Sequence, residues 1–157
     1  DLYGIFFKDI QLNFGESLTN PWIKDIVYRD PVHTSLLLNT KTAAAKGLKA
    51  GDIVKVESPY GRVYGRIGTT EAMHPETLGV SNSLSRLRTT HRNVRHAGGH
   101  FNDMLPCNLR HTDAVTGQPD TATRVKITRL DDWPQELKEG KSVYDVVDDV
   151  AKGKGAH

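Results

Sequence analysis

The chain is 157 residues long, 37% hydrophobic and 25% charged, with a formal net charge of +2. That suits one domain with modest extensions and a real core, since domains run roughly 100–200 residues; it excludes a membrane-spanning helix, because no apolar run approaches the roughly 20 residues one needs, and the charge is too small for any argument from overall electrostatics. The single cysteine, Cys107, excludes an internal disulfide framework and leaves the redox compartment open.

The chain opens at Asp1 without a basic leader and a long apolar stretch, so no signal peptide is visible and a cytoplasmic location is favoured. The missing initiator Met points to a processed chain or a piece of a longer polypeptide. Residues 1–30 carry short apolar clusters (Ile5, Phe6 and Phe7; Trp22 and Ile23; Ile26 and Val27) around a polar loop at 13–20. Trp22 is expected in the core, where large apolar aromatics usually sit.

Residues 35–38 form a strand that leads into a short helix. Asn39 or Thr40 can cap it, three alanines favour it, and Gly47 suits the left-handed residue that ends it. Ala50, Gly51 and Asp52 turn the chain into a β-branched strand at 53–58. Pro59, Tyr60 and Gly61 read as a hairpin turn, with the returning strand at 62–67 and another at 78–80. Residues 81–120 are mostly loop, broken by Gly98, Gly99, Gly117 and Pro119. Residues 121–130 alternate as a closing strand with Val125 and Ile127 on one face. Trp133 and Pro134 can start a short helix, and Ser142 caps another whose stripe is Val143, Val146, Val147 and Val150. That valine-striped helix is too short to stand alone, so the tail is expected to dock on the body or on a neighbouring chain. The domains divide at 130: a body at 1–130 and an acidic helical extension at 131–157.

Charge is unevenly spread. Arg86, Arg88, Arg92, Arg95 and Arg110, with four histidines, lie between 86 and 111, where the only acid is Asp103. A loop this long inside a small β domain needs a reason, since structureless loops beyond about 12–15 residues are usually functional or disordered. Its dense supply of cationic and amide donors points to an anionic ligand or partner, set against the plainer reading of a solvated basic surface. No Cys-x-x-Cys pair, His-Glu-x-x-His pattern, Walker loop or Gly-x-Ser-x-Gly elbow is present. A complete catalytic centre is therefore not expected in this chain.

The order of capped helix, glycine turn and hairpin at 39–67 resembles the molybdopterin-dinucleotide-binding domain that ends the DMSO-reductase family of molybdenum and tungsten oxidoreductases. Further segments are similar in order and spacing: Phe7-Lys8-Asp9 followed by 15–22, then 30–39, 71–80, 99–105 and 117–127. Residues 81–84 depart from it, carrying Ser-Asn-Ser-Leu where many relatives place His or Gly-Trp. The resemblance implies a mainly β fold, a double-psi β-barrel of six to seven strands. It also implies a cofactor, molybdopterin guanine dinucleotide (bis-MGD) with Mo or W, whose metal ligand and substrate site lie in other domains. Cys107 is accordingly a small loop or core residue rather than the metal's ligand.

A pterin edge calls for neutral amides and hydroxyls, and a pyrophosphate for backbone N–H groups and cations. Ser17, Ser81, Asn82, Ser83 and Asn102 suit the first task, and Lys8, His100 and Arg124 the second. Phe101 could stack on a ring. The implied partners are the catalytic remainder of the oxidoreductase and an iron–sulfur electron-transfer subunit; iron–sulfur clusters are expected only in those partners, and neither nucleic acid nor direct membrane insertion is expected. The competing reading is a non-enzymatic module whose basic 86–111 loop binds nucleic acid or an acidic protein. Only Phe101 supplies an aromatic in that span, which weakens it.

Overall fold

An Asn–Pro pair and an Asp–Pro pair open the first two helices, α1 (Pro21–Arg29) and α2 (Pro31–Thr34). In each, the acidic or amide oxygen accepts from the amide two residues on: Trp22 N to Asn20 Oδ1 at 3.0 Å, and Val32 N to Asp30 Oδ1 at 2.9 Å. Proline takes the first helical position, where its missing N–H would have had no partner anyway. The apolar clusters at 22–27 are thus one helix, and the chain enters the body through a helical turn rather than an extended segment. These features come from a computed structural model, which describes residues 1–8, 10–13, 17, 20–81, 100–106 and 108–135.

The helix α3 (Thr40–Ala45) follows the expected rules closely. Asn39 is its N-cap, with Oδ1 accepting from Lys41 N at 2.9 Å. The far end is a Schellman motif: Leu48 N bonds Ala43 O at 2.8 Å, and Gly47 N bonds Ala44 O at 3.0 Å. Gly47 holds the left-handed φ of 66° that this ending requires, and Ala43 and Leu48 bury the accompanying apolar contact.

Six strands make a closed barrel: β1 (Leu2–Phe7), β2 (Leu36–Leu38), β3 (Ile53–Glu57), β4 (Arg62–Thr69), β5 (Thr77–Ser81) and β6 (Thr123–Leu130). Around the wall the order is β1-β5-β2-β4-β3-β6. The β1–β5 and β2–β4 pairs are parallel and the other four antiparallel. This is the mainly β, double-psi barrel architecture that the sequence resemblance implies, with few short helices. Inward positions alternate with outward ones, so Val54, Val56, Val63, Ile67, Leu78, Val80 and Val125 fill the interior with Leu36 and Leu38. Val125 and Ile127 do share the core side of β6, as the alternation at 121–130 predicts.

Two further core residues come from outside the wall. Phe101 and Met104, on a 3₁₀ turn (Phe101–Met104), are 1% and 0% exposed. With the interior filled this way, α1 lies outside it. Trp22, expected in the core, is 81% exposed, and Ile26 one turn later is also exposed. A second 3₁₀ turn (Leu109–His111) and a Thr112–Pro119 bridge organise the chain before β6. The valine-striped helix, the acidic tail from 136 onward and residues 86–99 of the basic loop lie outside the described residues. Among the described residues no helix is long and apolar enough to cross a membrane.

Leu38 is fully buried between β4 and β5, while Val115 is 92% exposed. Leu38→Ala is expected to cost about 2–5 kcal/mol in chemical denaturation, from lost transfer energy plus a cavity. Val115→Ala is expected to stay within about 0.5 kcal/mol.

Candidate functional site

The parallel pairing of β1 with β5 sends both strands out of the barrel at one mouth. Phe7 stands opposite Ser81, and Lys8 follows immediately. Ser81 is buried at 2% exposure, whereas Lys8 is exposed. Phe6 continues the inward series of Leu2 and Gly4 yet is 43% exposed, because it stands where the wall ends. Its ring meets Phe101 at 5.4 Å between centroids, tilted by 48°. That contact brings the 101–104 turn, with His100 and Asn102 on either side of Phe101, to the same mouth. Asn102 is exposed. His100 is half-buried with Nδ1 turned away from solvent.

Beside Lys8 lies an open cleft of about 590 Å³, lined by Lys8, Ile10, Gln11, Leu12, Asn13, Ser17 and Ile23. Polar loop residues form one side, and Ile23, turned in from α1, forms another. The Ser17 hydroxyl is used within the loop: it accepts from Asn13 N at 2.8 Å and donates to Asn13 O at 3.2 Å. Its task is to fold the cleft wall back on itself. Gln11 and Asn13 line the same space and escape the sequence reading. The signal available was the polar run between an apolar strand and the Asn20–Pro21 helix start.

The structure therefore gathers Lys8, Ser17, Ser81, His100 and Asn102 near one mouth. It separates two other expected residues from that group. Phe101 is a core residue whose ring is 1% exposed, packed under Phe6 and against Gly4, where even a Cβ would come within 3.2 Å of it. Arg124 faces outward from β6, opposite Tyr3. Its guanidinium donates to Tyr3 Oη at 2.8 Å and lies 4.9 Å from the ring centroid. Tyr3 and Lys8 are five residues apart along β1, roughly 16 Å at about 3.3 Å per residue. Asn82 and Ser83 lie outside the described residues, as do His91, His96 and Cys107. Among the described residues no group of three or more His, Cys, Asp or Glu side chains is placed to hold a metal ion.

The turn leading into β6 carries a perturbed acid. Asp113 Oδ1 accepts from Thr116 N at 2.7 Å, Thr116 Oγ1 at 2.8 Å and Val115 N at 3.1 Å. These bonds, Thr116's backbone first, hold its carboxyl below the usual carboxylate range.

Residues 22–125 match the family model described as the molydopterin dinucleotide binding domain. Among solved structures the chain is similar to acetylene hydratase from Pelobacter acetylenicus, with a TM-score of 0.66 and 16% identity. The match covers 82% of this chain and 18% of that one, so the chain spans under a fifth of that protein's length. At this identity the likeness speaks to the fold. No curated protein matches the chain.

A folded-state pKa held down means that Asp113 stabilises the turn above the unfolded carboxylate pKa, about 3.9, and loses that contribution as pH falls through its lowered value. The stability difference between wild type and Asp113→Ala is expected to be flat above about pH 5 and to shrink toward pH 3. Urea unfolding of both proteins across that range checks it; a difference that grows on acidification would contradict the assignment.

Proposed function

The chain belongs to the molybdopterin dinucleotide binding domain family, and from that premise we propose that it grips the dinucleotide cofactor at the barrel mouth toward which Lys8, Ser81 and Asn102 are placed. The cofactor supplies the redox chemistry when bound; this chain's residues bind and orient it. Lys8, an exposed residue, supplies a positive charge of the kind that suits pyrophosphate. Asn102 offers an amide with both donor and acceptor capacity for a heterocycle edge, and Gln11 and Asn13 offer two more in the cleft beside Lys8. The cleft's volume lies within the roughly 300–1,000 Å³ range of small-molecule sites. These residues fit the group. The observation that carries the reading is the convergence, in a chain of this family, of one cation and several neutral amides on a single open mouth.

At the finer level, the chain acts as the C-terminal domain or small subunit of a molybdenum or tungsten bis-pterin oxidoreductase of the DMSO-reductase family. The metal ligand and substrate site then belong to other domains, and an iron–sulfur subunit carries electrons. The span of under a fifth of the similar hydratase supports a part rather than a whole enzyme. So does the apolar face of α1, where Trp22 and Ile26 stand exposed as on a domain that another part of the enzyme covers.

Denatured preparations of the native complex are expected to release a pterin dinucleotide, together with Mo or W, in stoichiometric amounts. Lys8→Ala is expected to lower the retained dinucleotide roughly tenfold or more, since a hydrogen bond to a charged group contributes about 1.5–3 kcal/mol. Asn102→Ala is expected to lower it roughly two- to tenfold, the range for neutral bonds. A pterin-free wild-type complex would overturn the proposal.

A further inference from the structure

The turn that carries Asn102 has no strand of its own. Its inner side is anchored by Phe101 and Met104 in the core. Its backbone is closed by two short-range bonds, Asp103 N to His100 O at 3.0 Å and Leu105 N to Asn102 O at 3.2 Å. Apolar anchors of this kind fix depth but leave rotation about the anchor soft. What fixes the remaining freedom comes from elsewhere in the chain, the tip of the β3–β4 hairpin.

Two contacts tie that tip to the turn. Ser58 Oγ donates to Met104 O at 2.7 Å, and the same oxygen accepts from Tyr60 N at 3.1 Å and Gly61 N at 3.2 Å. One hydroxyl therefore both closes the hairpin loop and clamps the turn's last carbonyl. Gly61 then lies so close to the turn that a Cβ added to it would overlap the Asp103 carbonyl oxygen. Its φ is not in the left-handed region, so glycine is required here by the close approach of two backbones and not by conformation. His100 and Asn102, the turn residues placed at the barrel mouth, lie immediately before this contact in the chain.

We infer that Ser58 and Gly61, which do not line the cleft, are positioning residues: they set the orientation of the 100–105 turn and through it the aim of Asn102 at the cofactor. This rests on the proposed cofactor-binding function, which it deepens by assigning how the site is held in shape. The alternative is that both residues serve only the stability of the hairpin.

The test uses the native complex and four variants, Ser58→Ala, Gly61→Ala, Asn102→Ala and the Ser58→Ala/Asn102→Ala double. Two quantities are read: amide hydrogen exchange over 100–105, against β3 and β6 as internal reference, and the pterin dinucleotide released per chain. Loss of one hydroxyl–carbonyl bond is expected to raise exchange at Asp103 and Leu105 roughly two- to tenfold while the barrel strands stay as in wild type. Retained dinucleotide is expected to fall by a similar factor in Ser58→Ala. In the double variant it is expected to fall no further than in Asn102→Ala alone, because the serine acts through the turn. Gly61→Ala is expected to exceed Ser58→Ala in both quantities; should it fail to fold, the serine variants decide. Unchanged exchange at 100–105, or losses of cofactor that simply multiply in the double variant, would overturn the inference while leaving the proposed function standing. A wild-type complex that releases no pterin would overturn both.

Discussion

The double pairing of β1 is the constraint on which the rest of the structure depends. One edge of this strand runs parallel to β5 and the other antiparallel to β6, and those two pairings close the wall. Without them the sheet would present two open edges, each a row of unpaired backbone groups. With them every strand has two neighbours and the exits of the strands are set. Because β1 and β5 point the same way, Lys8 and Ser81 leave at the same mouth although most of the chain's first half separates them.

A closed barrel of six strands has a small interior, and strand residues alone do not complete it. Phe101 and Met104 finish the core from a segment that is otherwise loop. Burying a side chain of that size contributes about 1.5–3 kcal/mol. The segment that completes the packing is also the one that presents Asn102, so site and core share one piece of backbone. Phe101 thereby serves the site indirectly, by anchoring its neighbours, and Asn102 owes its exposure to the burial of the residue before it.

Elements governed by near neighbours in the chain were legible without coordinates. The Asn39 cap, the Gly47 ending of α3, the hairpin at 53–67 and the alternation of Val125 and Ile127 all rest on short-range hydrogen bonds or a period of two. β1 was harder to see because its outward residues Tyr3 and Ile5 are as apolar as the inward Leu2, which erases the alternation. α1 was written in the Asn20–Pro21 pair, a helix-start signal that the apolar clusters around it obscured. Trp22 misled for a different reason: apolar character reports a tendency to be buried, and whether the interior has room is a property of the whole barrel.

What the sequence by itself determined is the set of local elements, their order and the family they resemble. Only the tertiary structure decided which candidate residues share a mouth. It placed Lys8 beside Ser81, spent the Ser17 hydroxyl on Asn13, drew Phe101 into the core and set Arg124 on the outer wall against Tyr3. The physical reason is one of range. Caps, turns and side-chain alternation are settled by residues a few positions away, whereas strand order and parallel pairing are settled by the free energy of closing the entire barrel, which no short window of residues contains.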